Sequence, residues 1–419
     1  MVESVPTPYT RPAWRRALNR NVVRLGLVSF FADVSSEMLY PLMPLFLTAS
    51  LGAPIAAVGV IEGAAEAVAS LLKTVSGRIA DKTSRRIELA FGGYSLSAIS
   101  KPLIALAHAW PAVLIARLID RTGKGLRGSP RDAILADSIE PELRGSAFGW
   151  HRAMDTMGAV IGPLLALGLL AAFNHDLRKV IGLSAVPGLI GALLVLTVAD
   201  PRRRAKTAAA ENPAQPPLAP SVARERLRWS SIPHDFKLYL AAWLPFVLVN
   251  SSDVFLILRA RQLGFSATGI VLVYVLYNVV YAAASVPLGH LSDLFGRRHL
   301  LVAGMAVFAA VYAGFAVANR PWHVVGLFAA YGLYIAATDG VGKAFAVDLV
   351  PQNLRATSIG MLSTLTGIMT LVASSAAGVL WDSVGSWAPF ALGAVGALVS
   401  AAAFGLTPGL KRAPGCAVE

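Results

Sequence analysis

Uncharged apolar runs constrain this chain more than any other feature. Residues 181–198, 300–317 and 388–406 contain no Asp, Glu, Lys or Arg, and each is close to the length that crosses a hydrocarbon core. In lipid a backbone must satisfy its own hydrogen bonds, so such runs are helices. Only 15% of the 419 residues are charged and 55% are hydrophobic, with a mean hydropathy of +0.60. A soluble chain carries about a quarter charged residues. The fold class expected is all-α, a polytopic membrane protein of twelve transmembrane helices. Their spans fall at about 22–48, 55–77, 87–107, 111–132, 145–173 and 180–198, then at about 236–258, 266–290, 299–318, 322–346, 355–381 and 386–407.

The net charge of +13 invites a nucleic-acid reading, which the distribution of charge excludes. Basic residues gather at 11–24, 78–86, 127–144, 202–206, 224–228, 297–298 and 411–412, at every second boundary between the expected helices. This is the positive-inside pattern. It places both termini and the central linker in the cytoplasm, and the protein in the inner, or plasma, membrane. Residues 1–199 are expected to form one six-helix bundle, 200–235 a linker and 236–419 a second bundle. The linker is rich in Pro, Ala and charge, cannot bury a core, and is expected to be flexible. The one cysteine, Cys416, has no partner for an internal disulfide. No short apolar segment with a small-residue cleavage site precedes the first helix, so no removable signal peptide is expected.

The two halves repeat one another. Gly77-Arg-Ile-Ala-Asp81-Lys-Thr-Ser-Arg85-Arg86 stands between the second and third helices, and Gly289-His-Leu-Ser-Asp293-Leu-Phe-Gly-Arg297-Arg298 between the eighth and ninth. A second match joins Pro141-Glu-Leu-Arg144 to Pro351-Gln-Asn-Leu-Arg355, again at an offset of about 211 residues. A parallel repeat of two six-helix halves is one plan of secondary transporters. The loops resemble the signature loop of the major facilitator superfamily, with Ser84 departing from the usual Gly in the first copy. The resemblance covers the whole chain and implies the major facilitator fold, two bundles rocking about a central cavity. It also implies that Gly77, Asp81, Arg85 and Arg86, with Gly289, Asp293, Arg297 and Arg298, form a cytoplasmic gate that latches the halves. The arginines alone would also serve topology, which does not require the aspartates. In the fifth helix Gly158-x-x-x-Gly162-Pro163 resembles the motif of the antiporter branch and implies export against protons. Packing accounts for the same residues, since small residues one turn apart let helices approach and proline frees a carbonyl.

Charge inside the spans marks the candidate site, because ionisable residues in the membrane are costly. Arg117, Asp120, Arg121 and Lys124 recur at i, i+3, i+4 and i+7, on one face of the fourth helix. Together they cost up to roughly 10–14 kcal/mol at mid-bilayer, against roughly 2–3 returned by the apolar side chains around them, so the stripe faces other helices or water. With about 1.5 Å rise per residue, Asp33 of the first helix lies level with Arg121, and Glu37 with Arg117. Asp155 of the fifth helix reaches the level of Arg121, and His151 that of Lys124. Depth thus matches carboxylates of helices one and five with cations of helix four. Permanent buried ion pairs would order the first half. Alternatively, a carboxylate exchanges a proton while the arginine changes partner. Buried pairs add little stability, which favours the second reading.

Asp33 is the first candidate proton carrier, with Glu62 and Glu66 of the second helix as rivals and His151 as a further titratable group. Arg127, Arg131 and Asp132 are assigned to the topology signal at the cytoplasmic end. Lys101, beside Pro102, has no account beyond snorkelling. In the second half Asn250-Ser251-Ser252-Asp253 echoes Val34-Ser35-Ser36-Glu37, making Asp253 a candidate counterpart of Glu37. Asp339 and Lys343 read as an intrahelical pair, and Tyr274, Tyr277, Asn278 and Tyr281 as a face of polar-tipped aromatics.

Met154 and Met157 beside His151 are not joined by a repeated His/Met/Cys cluster, so no metal site and no cofactor are expected. Gly123-Lys124-Gly125 lacks the phosphate-loop pattern, and no enzyme constellation is present. The function expected is secondary active transport of a small solute by alternating access, proton-coupled, with export by antiport. The partners are the lipid bilayer, a small-molecule substrate and protons, with the protein as a monomer. The alternatives are a proton-coupled uptake symporter of a small organic anion or metal complex and, from another class, a non-transporting membrane receptor or assembly protein.

Overall fold

The computed structural model describes residues 18–83, 85–140, 144–201, 232–351 and 355–407. Among them the first half forms α1 (Arg20–Leu39), α2 (Ile55–Thr83), α3 (Arg86–Leu106), α4 (Trp110–Asp137), α5 (Arg144–Ala172) and α6 (Leu177–Leu183 and Ala185–Val195). The second forms α7 (His234–Val247 and Val254–Gln262), α8 (Ala267–Phe295), α9 (Arg297–Val317), α10 (Pro321–Asp348), α11 (Arg355–Ser383) and α12 (Ala388–Leu406). The all-α, polytopic reading holds. Residues 202–231 of the expected linker lie outside the described residues.

Local sequence explains the ends and breaks. The Asn19 side chain accepts from the Val22 amide to cap α1, and Ser266 does the same for α8 through Gly269. Prolines sit in the first turns of α4 and α10, where a missing N–H costs nothing. Past Pro41, α1 is continued by Met43–Leu45 and a π-helical turn, Phe46–Ser50. The seventh span differs from expectation: it is not continuous over 236–258. Pro245 and the polar run Asn250-Ser251-Ser252-Asp253 interrupt it, and the Ser252 amide is satisfied instead by Ser374 Oγ of α11 at 3.0 Å. The fourth helix, in turn, runs to Asp137, five residues beyond its expected end near 132.

Within the first half, α1 packs on α5 and α6, and α4 lies between α2 and α3. Between the halves, α2 packs on α11 and α5 on α8. The start of α1 meets the ends of α4 and α6 at one face of the bundle, where Asn21 donates to Ser138 Oγ and the Ala199 carbonyl. This is also the end at which Asp200 leads toward the linker. At the opposite, far end the halves are in contact, with the Ala56 amide donating to Asp382 at 2.8 Å and Gly63 and Gly378 pressed against the neighbouring helix. Toward the linker end they part. A Cβ on Gly149, Gly289 or Gly360 would meet nothing within 4 Å.

Among the described residues nine helices are long and apolar enough to cross a membrane. The three that fall short are α1, α4 and α7, and all three line the space between the halves.

The repeat is close in register. Helices α9, α10 and α11 reproduce the lengths of α3, α4 and α5 at a spacing of 211 residues (Arg86 to Arg297, Asp137 to Asp348). The spacing is one residue greater for α2 and α8, because Ser84 and Arg85 occupy the junction that Gly296 spans alone with φ +90°.

Candidate functional site

Between the halves lies a cavity of about 610 Å³, lined by α1, α2, α4, α5, α7, α10 and α11 and open toward the linker end. At its far-end extremity it narrows into a second space of about 220 Å³ bounded by Tyr40, Tyr274 and Tyr277. Two kinds of surface meet in it. The first half presents charge: Asp33, Glu37, Glu66, Lys124, Arg131 and Asp155. The second presents Trp243, Phe246, Tyr331 and Tyr334 around Asn250 and Asp253.

The charge stripe of α4 divides in two. Its buried part is a network with α2 and α3. Arg117 donates to both oxygens of Glu62 at 2.7 and 2.8 Å and to Asp120 at 3.2 Å. Lys101 of α3 reaches Asp120 at 2.6 Å, and Ser97 donates to the same oxygen at 2.5 Å. Arg121 stands 4.0 Å from Asp120, with Nε buried and unbonded. Lys101 is therefore not a snorkelling residue; only 1% of it is exposed. The close seat of α4 that this network needs is provided by Gly123, whose absent Cβ would come 2.8 Å from the Ser97 amide nitrogen.

The open part of the stripe faces the cavity. Lys124 projects into it together with Asp33 of α1 and Glu66 of α2, and none of the three has a hydrogen bond or ion pair among the described residues. Arg127 is buried, with its guanidinium 4.4 Å over the Tyr94 ring, and Arg131 donates to Ser29 at 3.1 Å and to Asp132. Both line the cavity, which corrects their assignment to the topology signal. That assignment followed from ending α4 too early.

The pairings expected from depth are also corrected. Glu37 is held by Tyr274 of α8 at 2.5 Å rather than by Arg117. Asp155 accepts from Ser29 and lies 3.5 Å from His151, so His151 belongs with Asp155 rather than Lys124. The expected levels were off too: Ser29 links Asp155 to Arg131, ten residues beyond Arg121 on α4, and even equal depth does not identify lateral neighbours. α2 packs on α4 and supplies Glu62, whereas α1 faces α5.

Gly158 and Gly162 explain that last contact. A Cβ on Gly158 would lie 2.8 Å from the Phe30 carbonyl oxygen and 2.9 Å from the Asp33 Cβ. On Gly162 it would lie 2.8 Å from the Val34 carbonyl oxygen and 3.0 Å from the Glu37 Cβ. The two small residues thus seat α5 on the two turns of α1 that carry the cavity carboxylates. Pro163 follows inside the same helix.

In the second half Asp253 stands at the break in α7 and accepts from Tyr331 at 2.5 Å and Tyr277 at 3.4 Å. Asp339 pairs with Lys343 at 2.6 Å, as expected, and also lies 3.7 Å from Arg152 of α5, across the halves.

At the linker end Arg86 pairs with Asp137 at 2.7 Å, and Arg297 pairs with Asp348 at 2.8 Å. Asp137 and Asp348 were not singled out in the sequence. Both close a helix 211 residues apart, which is the signal that would have found them. The pairing makes Arg86, not Arg85, the counterpart of Arg297. Arg85 is exposed, and Arg298 donates to the Phe404 and Gly405 carbonyls. The side chains of Asp81 and Asp293 lie outside the described residues. Gly77 packs near Ser129 of α4.

The family model described as Major Facilitator Superfamily matches residues 25–259 and 238–415. The chain belongs to that superfamily. It is 33% identical over 391 residues to an uncharacterized MFS-type transporter of Methanocaldococcus jannaschii, covering 92% of this chain and 94% of the relative. It is 24% identical over 318 residues to the multidrug resistance protein MdtL of Escherichia coli, covering 74% and 76%. Among solved structures, the nucleoside transporter NupG, in a variant form, shares the fold with a TM-score of 0.74 at 14% identity, over 92% of this chain and 99% of that one. A bacterial homolog of the human lysosomal transporter Spinster, in an inward-facing and occupied conformation, gives 0.71 at 14% identity, over 95% and 97%. Family and fold together make this superfamily member a membrane transporter rather than an enzyme.

Proposed function

We propose that the chain is a proton-coupled antiporter that exports a small solute across the inner membrane, as a monomer, with linker and termini in the cytoplasm. The observation that carries this is the set Asp33, Glu66 and Lys124, partnerless among the described residues in a cavity between the halves. Carboxylates that face an open cavity and a cation not committed to an ion pair can take up and release protons at little structural cost. In this orientation the basic loops lie on the cytoplasmic side, and the cavity is inward-open.

Asp33 is the proton carrier in this scheme. Gly158 holds it against α5, and a solute in the cavity touches the same space. Arg86 with Asp137, and Arg297 with Asp348, hold each gate loop to its own half while the cavity is open to the linker end. Asp81 and Asp293 belong to the latch that forms when it closes. Export rather than uptake is supported by the likeness to a multidrug resistance protein and by Gly158, Gly162 and Pro163.

The test uses purified protein in liposomes, with solutes first chosen by thermal-shift screening. An imposed pH gradient should drive flux, and an uncoupler should stop it. Asp33→Asn should remove gradient-driven flux while leaving the unfolding midpoint in place. Flux indifferent to the gradient would sink the coupling, and a variant that cannot fold would make Asp33 structural.

A further inference from the structure

We infer that Tyr274 of α8 and Glu37 of α1 form a clasp that keeps the far end of the cavity shut while Glu37 is ionised. This rests on the proton-coupled reading above and adds to it how the proton reaches the gate. The hydroxyl of Tyr274 donates to Glu37 at 2.5 Å, and the bond joins the two halves at the narrow floor of the cavity. Beside it the Tyr40 hydroxyl lies 3.5 Å from Ser252 Oγ in the break of α7, a second and weaker link across the same seam. The Tyr40 and Tyr274 rings are 5.6 Å apart, and Tyr274 meets Tyr277 edge-on at 5.0 Å. Beyond this floor the seam is apolar, with Met38 of α1 and Leu42 just after it packed together with Val271 of α8.

The groups facing Glu37 come from every side of the floor. Its own helix offers Asp33 and Tyr40, and α2 offers Glu66. From α4 come Arg121, Lys124 and Arg127, from α7 Asp253, and from α8 Tyr274 and Tyr277. The contact with α5 is Gly162, which brings no titratable group. Asp253 is already held by two tyrosines of its own half. Among the described cavity carboxylates, Glu37 is thus the one whose hydroxyl donor comes from the other half.

A hydrogen bond to an ionised acceptor is about twice as strong as one to its neutral form. An ionised Glu37 therefore grips Tyr274 and holds α1 against α8. A proton on Glu37, or a solute that displaces Tyr274 from it, loosens the grip and lets the far end part. Release of the proton toward the linker end then locks the far end shut. The empty, ionised carrier cannot open outward, and that is the step by which a proton gradient would otherwise leak away. Asp33, one turn nearer the linker end, is the group through which the proton leaves.

The experiment places spin labels at Ala49→Cys and Gln262→Cys, exposed far-end positions in different halves, in full-length protein carrying Cys416→Ser. Electron–electron resonance then reads the distance between them as a function of pH. In the parent the short-distance population should dominate at high pH and give way to a longer one on acidification. Tyr274→Phe should hold the longer distance at every pH, shifting the two populations by roughly tenfold or more. In liposomes the same variant should leak protons without solute. Tyr40→Phe should keep the pH response. A parent distance deaf to pH, or Tyr274→Phe matching the parent, overturns the clasp. If Tyr274→Phe does not fold, Glu37→Gln serves in its place, and a preserved pH response there also overturns it. Flux driven by a pH gradient with a pH-insensitive distance removes the clasp alone. A pH-responsive distance without such flux supports the clasp and removes the coupling.

Discussion

Ser97, Lys101, Arg117 and Asp120 in the first half occupy the same places in the repeat as Phe308, Tyr312, Phe328 and Tyr331 in the second. One set is a buried ion network on α3 and α4. The other is an aromatic cluster on α9 and α10, with Phe308 stacked on Tyr312 at 3.9 Å and Phe328 edge-on to Phe315 at 5.6 Å. Even Glu62, which completes the network, stands where α8 carries Tyr274. The comparison teaches that this fold does not need charge at those positions. Aromatic contacts fill them and add about 0.5–1.5 kcal/mol per pair beyond simple burial, whereas buried ion pairs often do no better than apolar replacements. The charges of the first half are therefore best explained by what that half does, and the rings of the second by how it holds together.

The largest effect should come from breaking the network on one side only. Asp120→Asn leaves Lys101 and Arg117 without their shared charge and should cost about 3–5 kcal/mol, read as a lowered unfolding midpoint in detergent. Tyr331→Phe at the equivalent place, losing one hydroxyl, should cost about 0.5–1.5 kcal/mol. Next comes Gly162→Ala, whose methyl must push α5 off Glu37 and Val34. Overpacking of this kind costs about 1–3 kcal/mol and should also reduce gradient-driven flux. Replacing the pair together sharpens the comparison most. Lys101→Met with Asp120→Leu leaves Arg117 on Glu62 and should keep stability within about 1 kcal/mol of the parent, with flux lost. Retained flux would make the network structural after all. The smallest effect is expected at the half-exposed bridge between Arg152 and Asp339. A double-mutant cycle with alanine should return about 0–1 kcal/mol, shrinking further in high salt.

The membrane class and the repeat were legible because they rest on composition along the chain and on short motifs. The charged face of α4 was legible from spacing alone. Lateral neighbours were not, since helices at equal depth look alike in sequence. Glu62 was set aside as a rival although it takes Arg117, and Lys101 looked misplaced because its partner Asp120 sits on another helix. The break in α7 was visible only as Pro245 and a polar run, and both also occur in unbroken helices: α3 and α4 continue through Pro102 and Pro130. The one-residue difference between Ser84-Arg85 and Gly296 hid the match of Arg86 to Arg297.

The break in α7 has a mechanical consequence. Its linker-end piece packs on α12 and α11, whereas its far-end piece touches α8 and also Met43–Leu45 of the first half. The far-end piece thus stays with the second half and meets the first across the seam. A change of angle between the two pieces of α7 needs no helical bond to break. It must be absorbed as torsion at residues 248–253, beside Asp253 and under the Ser374 hydroxyl that satisfies the freed amide of Ser252. Stiffness at those six positions then sets how freely the far-end piece leans while the linker-end piece stays packed on α11 and α12.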